Sequence, residues 1–324
     1  MARARIIAKV LVIAGGSLGE FTPALAAMRR IRAVHPDADI TLLTTPPFEA
    51  LGRACPYVDH VDIDGAPQEF GDWRALVASV RAAKYDRVYD LETSAWSNRL
   101  FHLLRPFPPQ WSGVAAGCAL PHRNPRRRDM HPLERHAEQL KAAGVWPDAP
   151  TEPGAAPPPD ASWVTRRTLE PRKAARPHIL LVPGEVADAP ESRWHPSAYG
   201  ELAHALRLRG YDVIILGGPD DAPLAQAIQR SAQARDLTGR TDHAQIAALA
   251  ARAALAIGAP TGRMHLVAAA GAPTLILSPK DMDPHRFGPR GHVAALYAET
   301  LEDLGVQEVL RAADRLMPPI QKTM

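Results

Sequence analysis

Residues 9–44 read KVLVIAGGSLGEFTPALAAMRRIRAVHPDADITLLT. The opening KVLVIA is almost entirely apolar and runs into Gly15-Gly16, as a short strand buried on both faces does. Pro23 suits the first turn of a helix, where its missing N–H leaves no hydrogen bond unmade. Leu25, Met28, Ile31 and Val34 then recur at steps of three, drawing one apolar stripe along that helix. His35-Pro36-Asp37 ends it, and DITLLT at 39–44 reads as the next strand. The stretch is therefore a βαβ unit whose connecting turn carries Ser17, Gly19, Glu20 and Thr22.

The alternation continues outward. Helices are expected at 48–55, 72–84 and 94–104, with a strand at 86–91. Segment 121–136, PHRNPRRRDMHPLERH, is dense in Arg and His and reads either as a solvated loop or as an anion-facing patch. Between Trp146 and Pro177 the texture changes to PDAPTEPGAAPPPD and TRRTLEPRKAARP, proline-rich and charged sequence that suits a linker or surface loop. Strands then return at 178–182, 211–216, 254–258 and 273–277. Helices are expected at 197–209, 222–233, 244–253 and through Ala270, and a final helix near 302–315 could pack back on the first domain. The fold class is α/β, with two open parallel sheets: a first domain at 1–160, a linker at 161–177 and a second domain at 178–324. Ligands of such sheets sit beyond the carboxyl ends of the strands, which singles out the loops at 17–22, 183–193, 217–221, 260–265 and 278–286.

Composition removes several function classes. The chain has 324 residues, 46% hydrophobic and 23% charged, enough apolar content to exclude wholesale disorder. Its 38 Lys and Arg nearly balance 35 Asp and Glu, a net charge of +3, so no nucleic-acid partner is expected. Cys55 and Cys118 cannot make a disulfide framework and read as packing residues, which fits a reducing cytoplasm. Lys9 interrupts the first apolar run, and no uncharged run reaches the roughly 18 residues of a spanning helix. No GxGxxG fingerprint or Walker lysine pattern occurs, and no GxSxG elbow. His122, His131 and His136 are too loosely spaced for a zinc site, so no metal and no cofactor are expected.

Three places carry candidate chemistry. Thr261-Gly262-Arg263-Met264-His265 stands between an apolar strand and an alanine-rich helix. It is either a phosphate site, built from backbone N–H groups at a helix start with Thr261 and His265 as added donors, or a plain structural turn. Glu20 is either a general base facing a cleft or an acidic residue favoured in a first helical turn. Arg193 and Lys280 are either partners for a diphosphate or solvated surface groups.

Taken in order, these pieces resemble the bacterial ADP-heptose:lipopolysaccharide heptosyltransferases, glycosyltransferase family 9. The resemblance rests on residues 10–44, on Cys55-Pro56-Tyr57-Val58-Asp59, and on LLVPG, SRWHPSAYGELAHAL, ILGGPDD, DLTGRT and GAPTGRMHLVAAAGAPTL in the second half. Residues 105–170 carry none of its motifs. It implies a GT-B fold, with two Rossmann-like domains facing an interdomain cleft. It also implies an inverting, metal-independent transfer of a sugar, heptose in the family, from a nucleotide-diphosphate donor, ADP-linked in the family. The acceptor it implies is a glycan or glycolipid such as the lipopolysaccharide core.

Glu20 stands where the family has its base, an aspartate. Thr261, Gly262, Met264 and His265 match the donor diphosphate site, and the family lysine before the Trp194 motif falls at Ser192, beside Arg193. Pro260 replaces an aspartate that faces the donor sugar. Ser17, Gly19 and Thr22, with Arg126 and Arg127 of the basic segment, are acceptor-side candidates. Peripheral contact with the cytoplasmic face of the inner membrane would follow from a lipid-linked acceptor. The alternatives are a nucleotide-sugar epimerase, which needs no acceptor, and a non-catalytic sugar-nucleotide-binding protein.

Overall fold

A computed structural model describes residues 7–150, 152–166, 176–184 and 194–317 of the chain. They fall into two compact units, Met1–Pro159 and Asp160–Met324.

The first unit holds strands β1 (Lys9–Ile13), β2 (Asp39–Leu43), β3 (His60–Asp62), β4 (Arg87–Asp90), β5 (Gln110–Gly113) and β6 (Leu120–Pro121). They form one sheet in the order β3-β2-β1-β4-β5-β6, with every pair parallel. Its helices are α1 (Leu18–Val34), α2 (Glu49–Ala54), α3 (Phe70–Ala83), α4 (Ala95–Leu103) and α5 (Pro132–Ala142). The apolar run predicted to be a strand is the central one: Val10, Leu11, Val12 and Ile13 are all within 1% of full burial, since helices cover both faces of a parallel sheet. Phe21, Leu25, Met28 and Ile31 fix the inner face of α1. The basic segment is not all loop. Its second half is the start of α5, where Pro132 takes the first helical position and the His131 imidazole caps the turn by accepting from the Leu133 N–H at 3.1 Å.

The second unit repeats the plan with β7 (His178–Val182), β8 (Asp212–Ile215), β9 (Arg235–Asp236), β10 (Leu255–Gly258), β11 (Thr274–Pro279) and β12 (Val293–Ala298). The order is β12-β11-β10-β7-β8-β9, again all parallel. Helices α6 (Pro196–Leu208), α7 (Ala222–Ser231), α8 (His243–Ala250), α9 (Gly262–Ala269), α10 (Pro284–Phe287) and α11 (Val306–Leu316) accompany it. Alternate strand residues Ile179, Leu181, Val213, Ile215, Ile257 and Leu275 share one core with α6 and with Val309, Leu310 and Ala313 of α11. The last helix is thus packed on the second unit's own sheet. Trp194, 2% exposed, donates its indole N–H to the Leu304 carbonyl at 2.7 Å and ties that core to the chain entering α11.

The segment expected to be linker is built in at its start. Ala161 and Val164 are fully buried, and the Ala161 N–H donates to the Ala269 carbonyl at 2.8 Å. The few apolar residues in ASWV are enough to dock a single turn, Ser162–Arg166, against α8. Cys55 and Cys118 are buried free thiols, as packing residues are.

Both sheets reverse direction of growth at one place. In the first unit it lies between β1 and β4, and in the second between β7 and β10. A crevice opens there because the two flanking connections leave on opposite faces, and ligands of open α/β sheets bind in it.

Candidate active site

At the first reversal, β1 runs into Ala14-Gly15-Gly16-Ser17 and β4 into Leu91-Glu92-Thr93-Ser94. Gly16 adopts φ +72°, a conformation that glycine reaches without Cβ strain and that turns the chain sharply into α1. Ser17 is the exposed N-cap of that helix and makes no side-chain capping bond. Gly19 and Glu20 are half-buried beside it. Thr22 sits on the inward face of α1 with no exposed surface, so its hydroxyl is not offered to a ligand.

Glu20 lies in the first turn of α1. Its neighbour helix is α5, whose first turn also lies at this end of the sheet. Arg135 projects from that turn, and its guanidinium donates to the Glu20 carboxylate in an ion pair, with Arg135 11% and Glu20 45% exposed. Arg127 and Arg126 separate here. Arg126 points out to solvent, while Arg127 turns inward and donates from Nε to His122 Nδ1 at 3.0 Å. Burial, with the positive charge of Arg135 close by, holds the Arg127 pKa down to about 10, although Asp90, Glu20 and Glu138 pull it upward.

Behind Glu20 stand two carboxyl groups on the chain leaving β4. Glu92 accepts from the Trp96 indole N–H through Oε1, while its buried Oε2 has no hydrogen-bond partner. Burial raises its pKa, and the nearby Glu20 charge adds to that. Asp90 is fully enclosed. Desolvation lifts its pKa to about 7 even though it accepts from the Thr93 N–H at 2.7 Å and the Ser97 hydroxyl at 2.8 Å. Thr93 itself has φ +50°, a strained setting for a β-branched residue and one that clusters at functional sites. Arg135, Glu92 and Asp90 escaped the sequence reading. The available signal was the DLE at the end of an expected strand, in a position where ligand-facing groups belong.

At the second reversal, β10 leads through Ala259-Pro260 to Thr261, the N-cap of α9. The chain leaving β7 meets it closely. A Cβ on Gly184, which has φ +101°, would stand 2.8 Å from the Ala259 Cβ and 3.3 Å from the Thr261 Cγ2. Thr261 makes no capping bond, and its buried hydroxyl oxygen has no partner. Gly262 is half-buried at the first helical position. The start of α9 thus offers the backbone N–H groups and positive dipole end that attract phosphate.

The other expected donor residues are placed differently. Met264 is fully buried and its N–H is used by the Thr261 carbonyl at 3.0 Å. His265 Nε2 is 3.0 Å from the Phe287 carbonyl, which ties α9 to the excursion after β11. Lys280 is exposed and ion-paired to Glu299 at 2.6 Å. Arg193 and Ser192 lie outside the described residues. Pro260 lines a cavity of about 360 Å³ with Ser278, Met282, Arg290 and Tyr297. Among the described residues no group of three or more His, Cys, Asp or Glu is placed to hold a metal ion, and no helix is long and apolar enough to cross a membrane.

Comparison with known proteins matches this geometry to a family. The model of glycosyltransferase family 9 (heptosyltransferase) matches residues 73–303. Lipopolysaccharide heptosyltransferase 2 of Escherichia coli (strain K12) is 25% identical over 351 residues, covering 95% of this chain and 98% of that protein. The solved structure of E. coli ADP-heptose lps heptosyltransferase II superposes with a TM-score of 0.79 at 24% identity, over 95% of this chain and 98% of that one. E. coli heptosyltransferase WaaC with ADP gives a TM-score of 0.76 at 18% identity, over 95% and 99%. Both solved structures bear on the fold, which is the paired Rossmann-like architecture of GT-B proteins.

Proposed function

The chain belongs to glycosyltransferase family 9, and on that premise we propose that it moves a sugar from a nucleotide-diphosphate donor to a saccharide acceptor with inversion at the anomeric carbon. The donor of the family, ADP-heptose, and a lipopolysaccharide-core acceptor are the first candidates, in line with the lipopolysaccharide heptosyltransferase of E. coli that the chain resembles over nearly its whole length. The observation that carries the reading is Glu20: a part-exposed carboxylate at the sheet reversal of the first unit, held by Arg135.

In this reading Glu20 removes the proton of the acceptor hydroxyl as that oxygen bonds to the anomeric carbon. The bond from that carbon to the diphosphate oxygen breaks, and the nucleoside diphosphate leaves with the electron pair. The start of α9, with Thr261 and Gly262, stabilises the charge that grows on the diphosphate. Arg127, whose charge is felt together with that of Glu20, and the exposed Arg126 are suited to an anionic acceptor. Arg123, Arg126 and Arg128 are all exposed, which supports a peripheral position at an anionic membrane surface on the cytoplasmic side.

The test is a thermal-shift screen of sugar nucleotides followed by transfer assays of the binders with core-lipid acceptors. Binding of ADP-linked sugars above other nucleotides and acceptor-dependent release of ADP are expected. ADP-sugars that bind no better than unrelated nucleotides would overturn the donor assignment, and turnover without any acceptor would overturn transfer.

A further inference from the structure

Beneath the excursion that joins β11 to β12 lies a cavity of about 360 Å³, a volume that suits a small ligand. Its floor is one face of those two strands. Ile276 and Ser278 alternate along β11, and Ala295 and Tyr297 stand beside them in register. The opposite face, with Leu275 and Leu277, shares its core with α11. The connection over the floor carries only the four residues of α10. A helix of one turn cannot cover two strands as a longer one does, and the cavity is the space left.

The roof and the wall polar groups are tied to backbone. His265 Nε2 is 3.0 Å from the Phe287 carbonyl. Arg290 spans the same excursion, with Nη1 and Nη2 donating to the Pro284 and His285 carbonyls at 3.4 and 2.8 Å. Ser278 Oγ donates to the Pro279 carbonyl at 3.2 Å. Tyr297, the third polar side chain of the lining, is 41% exposed. The rest of the wall is apolar, with Pro260, Met282 and Val293 among it.

Pro260 joins this cavity to the start of α9. It lines the one and immediately precedes Thr261, the N-cap of the other. A sugar bonded to a diphosphate held at Thr261 therefore has its remote end at the cavity.

We propose that the cavity takes the exocyclic arm of the donor sugar and selects a 6-deoxy sugar, whose arm is a bare methyl group, a choice of substrate that rests on the donor-site reading above. A methyl leaves water for an apolar wall with no hydrogen bond to lose. A hydroxymethyl arm gives up its water and finds Arg290 and Ser278 already turned to backbone carbonyls. The arm of heptose carries two hydroxyls and is penalised further. The cavity thus narrows the donor to sugars whose arm lacks hydroxyls.

The experiment is calorimetric titration of the full chain with ADP, ADP-mannose and ADP-6-deoxymannose, in the parent, Val293→Thr and Met282→Gln. The readout is the affinity ratio of the deoxy to the hydroxylated donor. The parent is expected to favour ADP-6-deoxymannose by about 10- to 100-fold, the discrimination that an apolar pocket gives against one added hydroxyl. Each variant keeps the size of its side chain and adds a polar partner to the wall. Each should lower the ratio by at least about threefold and leave ADP affinity within about twofold of the parent. A parent ratio within about twofold of unity overturns the proposal, while ADP binding keeps the donor site. A preference that persists unchanged in both variants also overturns it, because the sugar then lies outside this cavity. A parent chain that does not bind ADP overturns the donor-site reading, and this proposal with it.

Discussion

The Arg135 guanidinium grips the Glu20 carboxylate across the first turns of two neighbouring helices, α5 and α1. The pair leaves the acid 45% exposed while the arginine is nearly enclosed, so the carboxylate is fixed in direction without being sealed. Replacing the carboxylate by an amide keeps shape and removes proton affinity. Glu20→Gln is expected to cut transfer by at least about 10²-fold, within the range of positioned acid–base groups. ADP affinity should stay at the parental value. Steady-state transfer kinetics and ADP titration together check this, and near-full activity removes Glu20 from the chemistry.

If Glu20 is the base proposed above, Arg135, its ion-pair partner, acts as a positioning residue. Arg135→Gln frees the carboxylate to swing, and misplacement of about 1 Å can cost up to about 10²-fold. The loss should fall on kcat with donor KM unchanged, and Arg135→Lys should restore part of it. A purely structural arginine would instead lower the melting temperature and leave kcat per folded molecule intact.

Asp90 makes stability depend on pH in a definite direction. Its pKa is raised by burial from 3.8 to about 7 in the fold. Between those values the folded chain binds a proton that the unfolded chain has lost. The contribution to stability is complete below about pH 4 and disappears as pH rises through about 7. Asp90→Asn cannot titrate, yet it keeps an acceptor for the Thr93 N–H and can donate to Ser97. The melting temperature of the variant relative to the parent should therefore rise between pH 5 and pH 8. A difference that stays flat over that range shows that Asp90 is not titrating there.

The central βαβ unit was legible because KVLVIA and the stripe of Leu25, Met28 and Ile31 report burial directly, although Val34, the expected end of that stripe, is 40% exposed. Strands such as β3, β6 and β9, with few apolar residues and two or three positions each, owe their state to a neighbouring strand and leave no periodic trace. The same divide runs through the site. Glu20 and Thr261 announce themselves by glycine-bearing turns. Glu92 and Asp90 become site residues only because β4, the fourth strand in sequence, pairs with β1. Arg135 enters because α5 lies along α1. Such pairings between distant segments are decided by packing, which local sequence does not encode.

Gly258 tests the second reversal. It pairs with Val182 in the register of β10 and β7, and an added Cβ would stand 1.9 Å from the Val182 carbonyl oxygen. That neighbour is backbone and cannot rotate away. Gly258→Ala should force the two strands apart and destabilise the chain by about 3 kcal/mol or more, in the range of severe core overpacking. Chemical denaturation measures it. A shift under about 1 kcal/mol would mean that the two strands are not so closely apposed.

Pro260 offers a test of donor choice. It borders both the start of α9 and the cavity shared with Ser278, Met282, Arg290 and Tyr297. Proline presents neither charge nor an acceptor in its side chain, so a sugar hydroxyl placed there gains no partner from it. Pro260→Asp adds both. Folding should tolerate the change, because an acid just before a helix start is favoured by the dipole. A site that accepts from a sugar hydroxyl discriminates strongly against donors that lack the group, whereas an apolar wall discriminates by only about 1–3 kcal/mol. Restoring the carboxylate should therefore raise kcat/KM for ADP-heptose relative to an ADP-hexose by about tenfold or more. Competition assays with both donors in one tube read that ratio directly. If it does not move while ADP affinity is retained, position 260 does not face the donor sugar, and the selectivity of the enzyme is set elsewhere in the cavity.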